Sequence, residues 1–179
     1  MKFPIRRFDA ASVLQMKESI LDIWLAVYSL PPDAASEADI RSWISSLEKR
    51  IQKEGFVFVG VQDSQKHLLG YAYGWASGPA AEPFVARLAE ELGELSSEWL
   101  ANCFYFADLG VLPSSQGRGL GRRLVEELMA CVKAQRSLLL THNVPTVASE
   151  MYLRHGWVEL KKDFKAANNK LYRIMGKKL

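Results

Sequence analysis

The segment Asp108-Leu109-Gly110-Val111-Leu112-Pro113-Ser114-Ser115-Gln116-Gly117-Arg118-Gly119-Leu120-Gly121 constrains this chain more than any other. An apolar run closes on Pro113, and glycines stand at the alternate positions 117, 119 and 121. An amphipathic stretch follows, so the order reads as strand, tight loop, helix. Glycine lets backbone N–H groups approach a phosphate closely. The first turn of a helix adds unpaired N–H groups and about half a positive charge. Three such glycines followed by Arg122 and Arg123 describe a pyrophosphate cradle. It is not a Walker loop, because no Gly-Lys-Ser/Thr follows. Nor is it a dinucleotide fingerprint: Gly117 and Gly119 would need a third glycine at 122, which is an arginine.

The rest of the chain supplies elements around that loop. Phe3 to Phe8 is a short apolar run that suits a strand. Ser12-x-x-Gln15 reads as a capping box. Behind it Met16, Ile20, Ile23, Trp24 and Val27 recur at helical spacing, and Pro31-Pro32 ends that helix. Ser36-x-x-Asp39 opens another helix, with Ile40, Trp43, Ile44, Leu47 and Ile51 on one face. Phe56 to Val61 and Leu68 to Trp75 read as a hairpin. Residues 77–100 form a helical insertion that opens with Ser77-Gly78-Pro79 and carries Phe84, Leu88, Leu92 and Leu95 on one stripe. Cys103 to Val111 is strand-like. Gly119 to Gln135 is a helix with Leu120, Leu124, Leu128 and Val132 inward. Leu138 to His142 is a strand, and Thr146 to His155 is a helix closed by Gly156. Trp157 to Lys161 and Lys170 to Met175 are closing strands. Strand, helix and strand from 103 to 142 predict a right-handed parallel crossover, whereas the hairpins are antiparallel. The fold class is α/β: a mixed, mostly antiparallel central sheet with helices on both faces, in a single domain over 1–179.

Composition narrows the function. At 179 residues, 49% hydrophobic and 24% charged, the chain has the balance of one soluble globular domain. No apolar stretch reaches the length of a membrane span, and the start lacks the apolar run of a signal peptide. Cys103 and Cys131 are too few for a disulfide framework, and no CxxC or Cys/His cluster suggests zinc. The expectation is a reduced, cytoplasmic protein without a metal. The net charge of +3 hides a basic C-terminal stretch: Arg154 to Leu179 holds eight Lys or Arg against Glu159 and Asp163. These alternate with Trp157, Phe164, Leu171, Tyr172 and Ile174, as on solvated strand faces. That pattern argues against a nucleic-acid arm and suits a phosphate-bearing co-substrate.

Two segments together carry a family resemblance. Gln116-x-x-Gly119-x-Gly121 resembles the acyl-CoA signature (Arg/Gln)-x-x-Gly-x-(Gly/Ala) of the GNAT family of N-acetyltransferases. Val111-x-Pro113 before it is similar to the end of that family's fourth strand. Ala148-x-x-x-Tyr152-x-x-x-Gly156-Trp157 resembles the family's Ala-x-x-x-Tyr-x-x-x-Gly-Phe segment, with Trp in place of Phe. The likeness is specific from about residue 104 to 158 and general in element order elsewhere. One position departs. Where the family often has a cofactor-contacting Asn, this chain has Pro145, with Asn143 two residues earlier.

The resemblance implies acetyl transfer from acetyl-CoA to a primary amine, by direct attack through a tetrahedral intermediate. The acceptor is an amine-bearing small molecule or peptide, and the chain is a monomer or homodimer. Backbone N–H groups of Gln116, Gly117, Arg118, Gly119, Leu120, Gly121 and Arg122 would hold the CoA phosphates. Leu109, Gly110 and Val111 would pair with the pantetheine arm like an added strand. The Leu109 N–H is a candidate oxyanion donor. Gly110 marks either a bulge that admits the arm or a tolerated strand glycine. Tyr152 is the candidate acid for the departing thiolate, and Asp108 the candidate base for the amine. Each has a packing alternative: Tyr152 as a helix-to-sheet aromatic, Asp108 as a loop anchor. His142 reads first as a strand-end histidine, and Cys103 as core filler rather than an acyl carrier. Glu82, Glu90, Glu91, Glu94 and Glu98 are either an acidic lid for a cationic amine or the solvated face of a helix. The rival to an enzyme is a CoA-binding sensor or interaction module without turnover.

Overall fold

The computed structural model describes residues 3–78 and 82–179. Pro79, named in the Ser77-Gly78-Pro79 opening of the insertion, lies outside them. In chain order the elements are β1 (Ile5–Phe8), α1 (Ala10–Gln15), α2 (Lys17–Tyr28), α3 (Glu37–Arg50), β2 (Val57–Gln62), β3 (Leu68–Ala76), α4 (Pro83–Leu92), α5 (Ser96–Leu100), β4 (Cys103–Val111), α6 (Leu120–Ala130), β5 (Arg136–His142), α7 (Val147–Arg154), β6 (Val158–Lys165) and β7 (Leu171–Lys178). The strands run in the order β1-β2-β3-β4-β5-β7-β6. The pairs β1–β2, β2–β3, β5–β7 and β6–β7 are antiparallel, and β4–β5 is parallel. This is the mixed, mostly antiparallel α/β sheet expected from the sequence. The chain forms two compact units, one reaching to Gly74 and resuming over Asp108–Val132, the other comprising Trp75–Ala107 and Lys133–Leu179.

The first unit has β1, β2 and the start of β3 at its centre. Ile5 to Phe8 lie opposite Val61 to Phe58, and Val57 lies opposite Gly74. Val13, Ile20, Ile23, Phe58, Val59, Leu124 and Leu128 are buried. Each such side chain contributes about 1.5–3 kcal/mol when fully withdrawn from water. The Ser36–Asp39 capping box forms at α3 as read from the sequence. The first cap differs. Asp9, not Ser12, caps α1, its Oδ1 accepting from the Ser12 N–H at 2.8 Å, so the helix begins three residues earlier. Asp offers the same acceptor as Ser and lies directly after the last residue of β1.

In the second unit the parallel ladder pairs Cys103, Phe104 and Tyr105 with Arg136, Ser137 and Leu138. Its core joins Leu88, Leu92, Trp99, Cys103, Leu138, Phe164 and Ile174. The apolar stripe of the 77–100 segment changes phase on the way. Val85 is buried within α4, and a 3-10 turn at Gly93–Leu95 then interrupts the helix, so Trp99 is buried while Leu95 is exposed. Two glutamates of this segment are tied to basic strands. Glu98 meets Lys178 at 2.8 Å and Arg136 at 3.7 Å, and Glu91 meets Lys161 at 3.9 Å. Arg87 lies over the Phe164 ring and donates to the Lys165 carbonyl. Helix α6 ends at Ala130 rather than Gln135. The Gln135 N–H instead donates to the Asn102 carbonyl at 3.1 Å, and that bond leads directly into the β4–β5 ladder. Strand β6 ends the sheet order and is almost wholly exposed. It slips register on both sides of Lys161 and holds Asp163 at φ +60.

Candidate functional site

Strand β4 alternates: Phe104, Phe106, Asp108 and Gly110 are buried, while Tyr105, Ala107 and Leu109 are half-exposed. Asp108 is therefore an acid on an inward position. Side-chain donors of the first unit converge on it. The Tyr28 hydroxyl donates to Oδ1 at 2.8 Å. The Trp43 indole N–H and the Tyr71 hydroxyl each donate to Oδ2 at 3.2 Å. The Tyr28 hydroxyl is also 3.0 Å from the Leu109 carbonyl oxygen, so one hydrogen is shared between side chain and backbone. Arg50 Nη1 donates to the Tyr73 hydroxyl at 2.8 Å and faces the same carboxylate. Burial pushes the Asp108 carboxyl above its ordinary value. The Tyr28 and Trp43 bonds, the Arg50 charge and the Tyr71 bond pull it back down. Burial, then the Asp108 charge, push Tyr71 well above the usual phenol range.

The sequence singled out Asp108 but not its partners. They stand at 28, 43, 50, 71 and 73, on two helices and a strand. The only local signal was the alternation of Tyr71 and Tyr73 along β3, which also fits plain core packing.

Gly110 is required by close approach. A Cβ there would lie 2.8 Å from Ile23 Cγ2 and 2.8 Å from Tyr71 Cε1. Gly110→Ala is expected to lower unfolding free energy by about 1–3 kcal/mol, the usual range for overpacking a filled site. Urea unfolding measures it, and an unchanged midpoint would show that α2 and β3 give way freely.

The loop beyond β4 is held from within. The Gln116 side-chain amide donates to the Val111 carbonyl at 2.9 Å, and the Ser115 N–H to the Leu112 carbonyl at 2.8 Å. Gly117 and Gly119 stand at φ +73 and φ +72 with open space where a Cβ would be. Their backbone conformation, not crowding, asks for glycine. Gly119 is the N-cap of α6, and no side chain caps the helix. The first intrahelical bond is from Arg123 N–H to the Gly119 carbonyl, so the N–H groups of Leu120, Gly121 and Arg122 precede the ladder. Gln116, Gly117, Arg118 and Gly119 are exposed. This exposed, uncapped and positively biased helix start fits a diphosphate. Arg123 is otherwise engaged, donating to the Phe3 carbonyl at 3.0 Å. Arg122 lies 3.8 Å from Glu126.

Asp108, Leu109, Gly110, Val111 and the residues from Gln116 to Arg122 thus belong to the first unit. Tyr152 belongs to the second. It is buried on α7, whose N-terminus is closed by a Thr146–Ser149 capping box. Its ring meets Phe106 edge-on at 6.0 Å and Trp157 at 5.8 Å. Trp157 is 1% exposed, and its indole N–H has no hydrogen-bond partner among the described residues. An orphan donor of this kind costs about 1–3 kcal/mol. The Asn143 amide donates to Asp163 Oδ1 at 2.6 Å, an engagement the departure at Pro145 made relevant. The His142 ring lies 5.2 Å from that of Tyr172. Burial pushes the Cys103 thiol up to about 12, which leaves it a thiol and a poor nucleophile. Among the described residues no group of acidic, His or Cys side chains could hold a metal ion. No helix among them is long and apolar enough to cross a membrane.

Comparison with known proteins follows from this geometry. The structure is similar over its full length to PaiA N-acetyltransferase from Thermoplasma acidophilum in complex with coenzyme A, with a TM-score of 0.65, 18% identity and all of both chains covered. It is similar to an acetyltransferase of the GNAT family from Staphylococcus aureus, with a TM-score of 0.70, 12% identity and 99% of each chain covered. It is also similar to a structure of the NatC complex bound to Gag peptide and CoA, with a TM-score of 0.67, 16% identity, and 100% and 99% of the two chains covered. No curated protein matches the chain in sequence. Residues 53–159 match the family model described as Acetyltransferase (GNAT) domain. That span contains β4, the glycine loop, α6 and α7, and the chain belongs to the GNAT acetyltransferase family.

Proposed function

We propose that this chain is a single catalytic domain that moves an acetyl group from acetyl-CoA to a primary amine of a small molecule or peptide. The observation that carries the reading is the uncapped start of α6, built on Gly117 and Gly119 at the end of β4. Acetyl-CoA supplies an activated acyl group as a thioester. Backbone N–H groups from Gln116 to Gly121, extended to Arg122, receive the diphosphate, and the exposed Arg118 guanidinium adds a charge-assisted contact. Backbone groups of Leu109, Gly110 and Val111 bind the pantetheine amides as an added strand would. The Leu109 N–H stabilises charge on the acyl oxygen. Tyr152 gives its proton to the departing sulfur, a transfer suited to a phenol near about 10 and a thiol near about 8.5. Asp108 takes the proton of the amine. An alkylamine near about 10.4 needs roughly 4–5 kcal/mol to shed its proton at neutral pH, so a nearby base is useful. The two free cysteines suit a reduced compartment such as the cytoplasm.

Two measurements test this. CoA at a hundred times its dissociation constant should raise the stability by about 2.7 kcal/mol. Free thiol should then appear when acetyl-CoA is mixed with a suitable amine from a panel. Binding without thiol release from any amine would identify a CoA-binding module; no binding would overturn the reading altogether.

A further inference from the structure

The proton has no direct route to Asp108. Asp108 is 8% exposed, and its carboxylate receives hydrogen bonds from Tyr28, Trp43 and Tyr71. An amine nitrogen would have to displace one of those donors to touch it. Among its donors, Tyr71 is fully buried and Trp43 is 4% exposed. Tyr28 differs. It is the last residue of α2, it is half-buried, and its hydroxyl reaches both Asp108 Oδ1 and the Leu109 carbonyl. A hydroxyl accepts as well as donates, so it can take a proton on one side and release one on the other.

We infer that Tyr28 is a catalytic proton carrier: its hydroxyl meets the acceptor amine, and the buried Asp108 carboxylate behind it is where the charge is balanced. The inference rests on the acetyl-transfer reading above and deepens its base. As the nitrogen attacks, the C–N bond forms and the carbonyl π pair moves onto the acyl oxygen; when that tetrahedral intermediate collapses the pair returns and the C–S bond breaks, the sulfur leaving with its electron pair. The N–H bond breaks and its proton joins Tyr28 Oη. The proton Tyr28 held crosses the 2.8 Å bond to Asp108 Oδ1. Tyr152 protonates the sulfur and regains a proton from water; once the product leaves, the Tyr28 path in reverse returns the proton held on Asp108 to water. The groups facing Asp108 fit a carboxylate that both holds and gives up a proton. Arg50 from α3 favours the charge, as do the Trp43, Tyr28 and Tyr71 donors, while burial opposes it. Tyr73 stands between Arg50 and this cluster, taking a hydrogen bond from Arg50 Nη1.

The test uses the intact chain and has a readout apart from activity. Trp43 donates its indole N–H to Asp108 Oδ2, so the resonance of that nitrogen reports the carboxylate's titration. The variant Trp43→Phe assigns the signal. Tyr28→Phe removes one donor to the carboxylate, so the midpoint of the Trp43 signal should rise in pH. Thiol release from acetyl-CoA, with butylamine and with a tripeptide bearing a free amino terminus, should slow roughly 10²-fold, with CoA affinity unchanged. A purely structural Tyr28 would move the midpoint in the same way, since the same hydrogen bond is lost, but would leave the rate alone. Turnover as fast as wild type in a folded Tyr28→Phe chain overturns the inference. If that variant fails to fold, Asp108→Asn carries the test: Tyr28 then has no proton sink, and turnover at the wild-type rate again overturns the inference. A wild-type chain that binds no CoA, or that binds it and releases no thiol with either amine, overturns the acetyl-transfer reading and this inference with it.

Discussion

Tyr152→Phe is expected to slow thiol release roughly 10²-fold while leaving CoA affinity almost unchanged. The substitution keeps the ring that packs edge-on against Phe106 and beside Trp157, and removes only the hydroxyl. Packing and proton transfer are thereby separated. A thiolate leaving without a proton is the poorer leaving group, and the deficit should shrink with an acyl donor whose thiol is more acidic. Steady-state rates with the two donors, beside a CoA titration, provide the measurement. Equal rates for variant and wild type would return Tyr152 to a packing role on α7.

Gly119→Glu is expected to weaken CoA binding at least tenfold, or about 1.4 kcal/mol. Two effects add. The residue stands at φ +72, where a side chain of L-configuration costs about 1–2 kcal/mol. The new carboxylate also stands at the N-cap of α6, where the helix dipole itself welcomes negative charge. The isolated fold tolerates that charge well, since space around the position is open. A bound diphosphate does not, because two anions then compete for the same N–H groups. The variant should therefore remain folded and lose affinity, with part of the loss recovered in high salt. A folded Gly119→Glu chain that binds CoA as tightly as wild type would remove α6 from the phosphate site.

The order of strands and helices was legible because it rests on local rules. The Ser36–Asp39 cap, the β-rich apolar run of β2 and the Gly-closed end of α7 each lie within a few residues. What failed rests on choices between equals or on distant partners. Asp9 and Ser12 are both good caps, and only the end of β1 decides between them. Helix α6 stops at Ala130 because Gln135 pairs with Asn102, more than thirty positions earlier. The glutamates of the 77–100 segment read either as an acidic lid or as the solvated face of a helix, with no partners in view. Glu91 and Glu98 instead meet lysines and an arginine of β5, β6 and β7. In the candidate site, the glycine loop was readable since its glycines serve local backbone geometry. The ring of donors around Asp108 was not. Tyr28, Trp43 and Tyr71 carry no motif, and their common purpose exists only once α2, α3 and β3 have packed.

Strand β6 has a consequence for how the protein behaves when crowded. A straight outer strand offers a row of unpaired backbone groups, on which a second copy can crystallise its own strand. Here two register slips and the left-handed Asp163 break that row into short pieces. Arg87 already occupies the Lys165 carbonyl, and Lys161, Lys162 and Lys165 would bring like charges together in any edge-to-edge pair. Concentrated solutions should accordingly stay free of fibrils that extend the sheet at β6. If two copies do associate through that edge, the seam will be made of side chains rather than of a continued sheet.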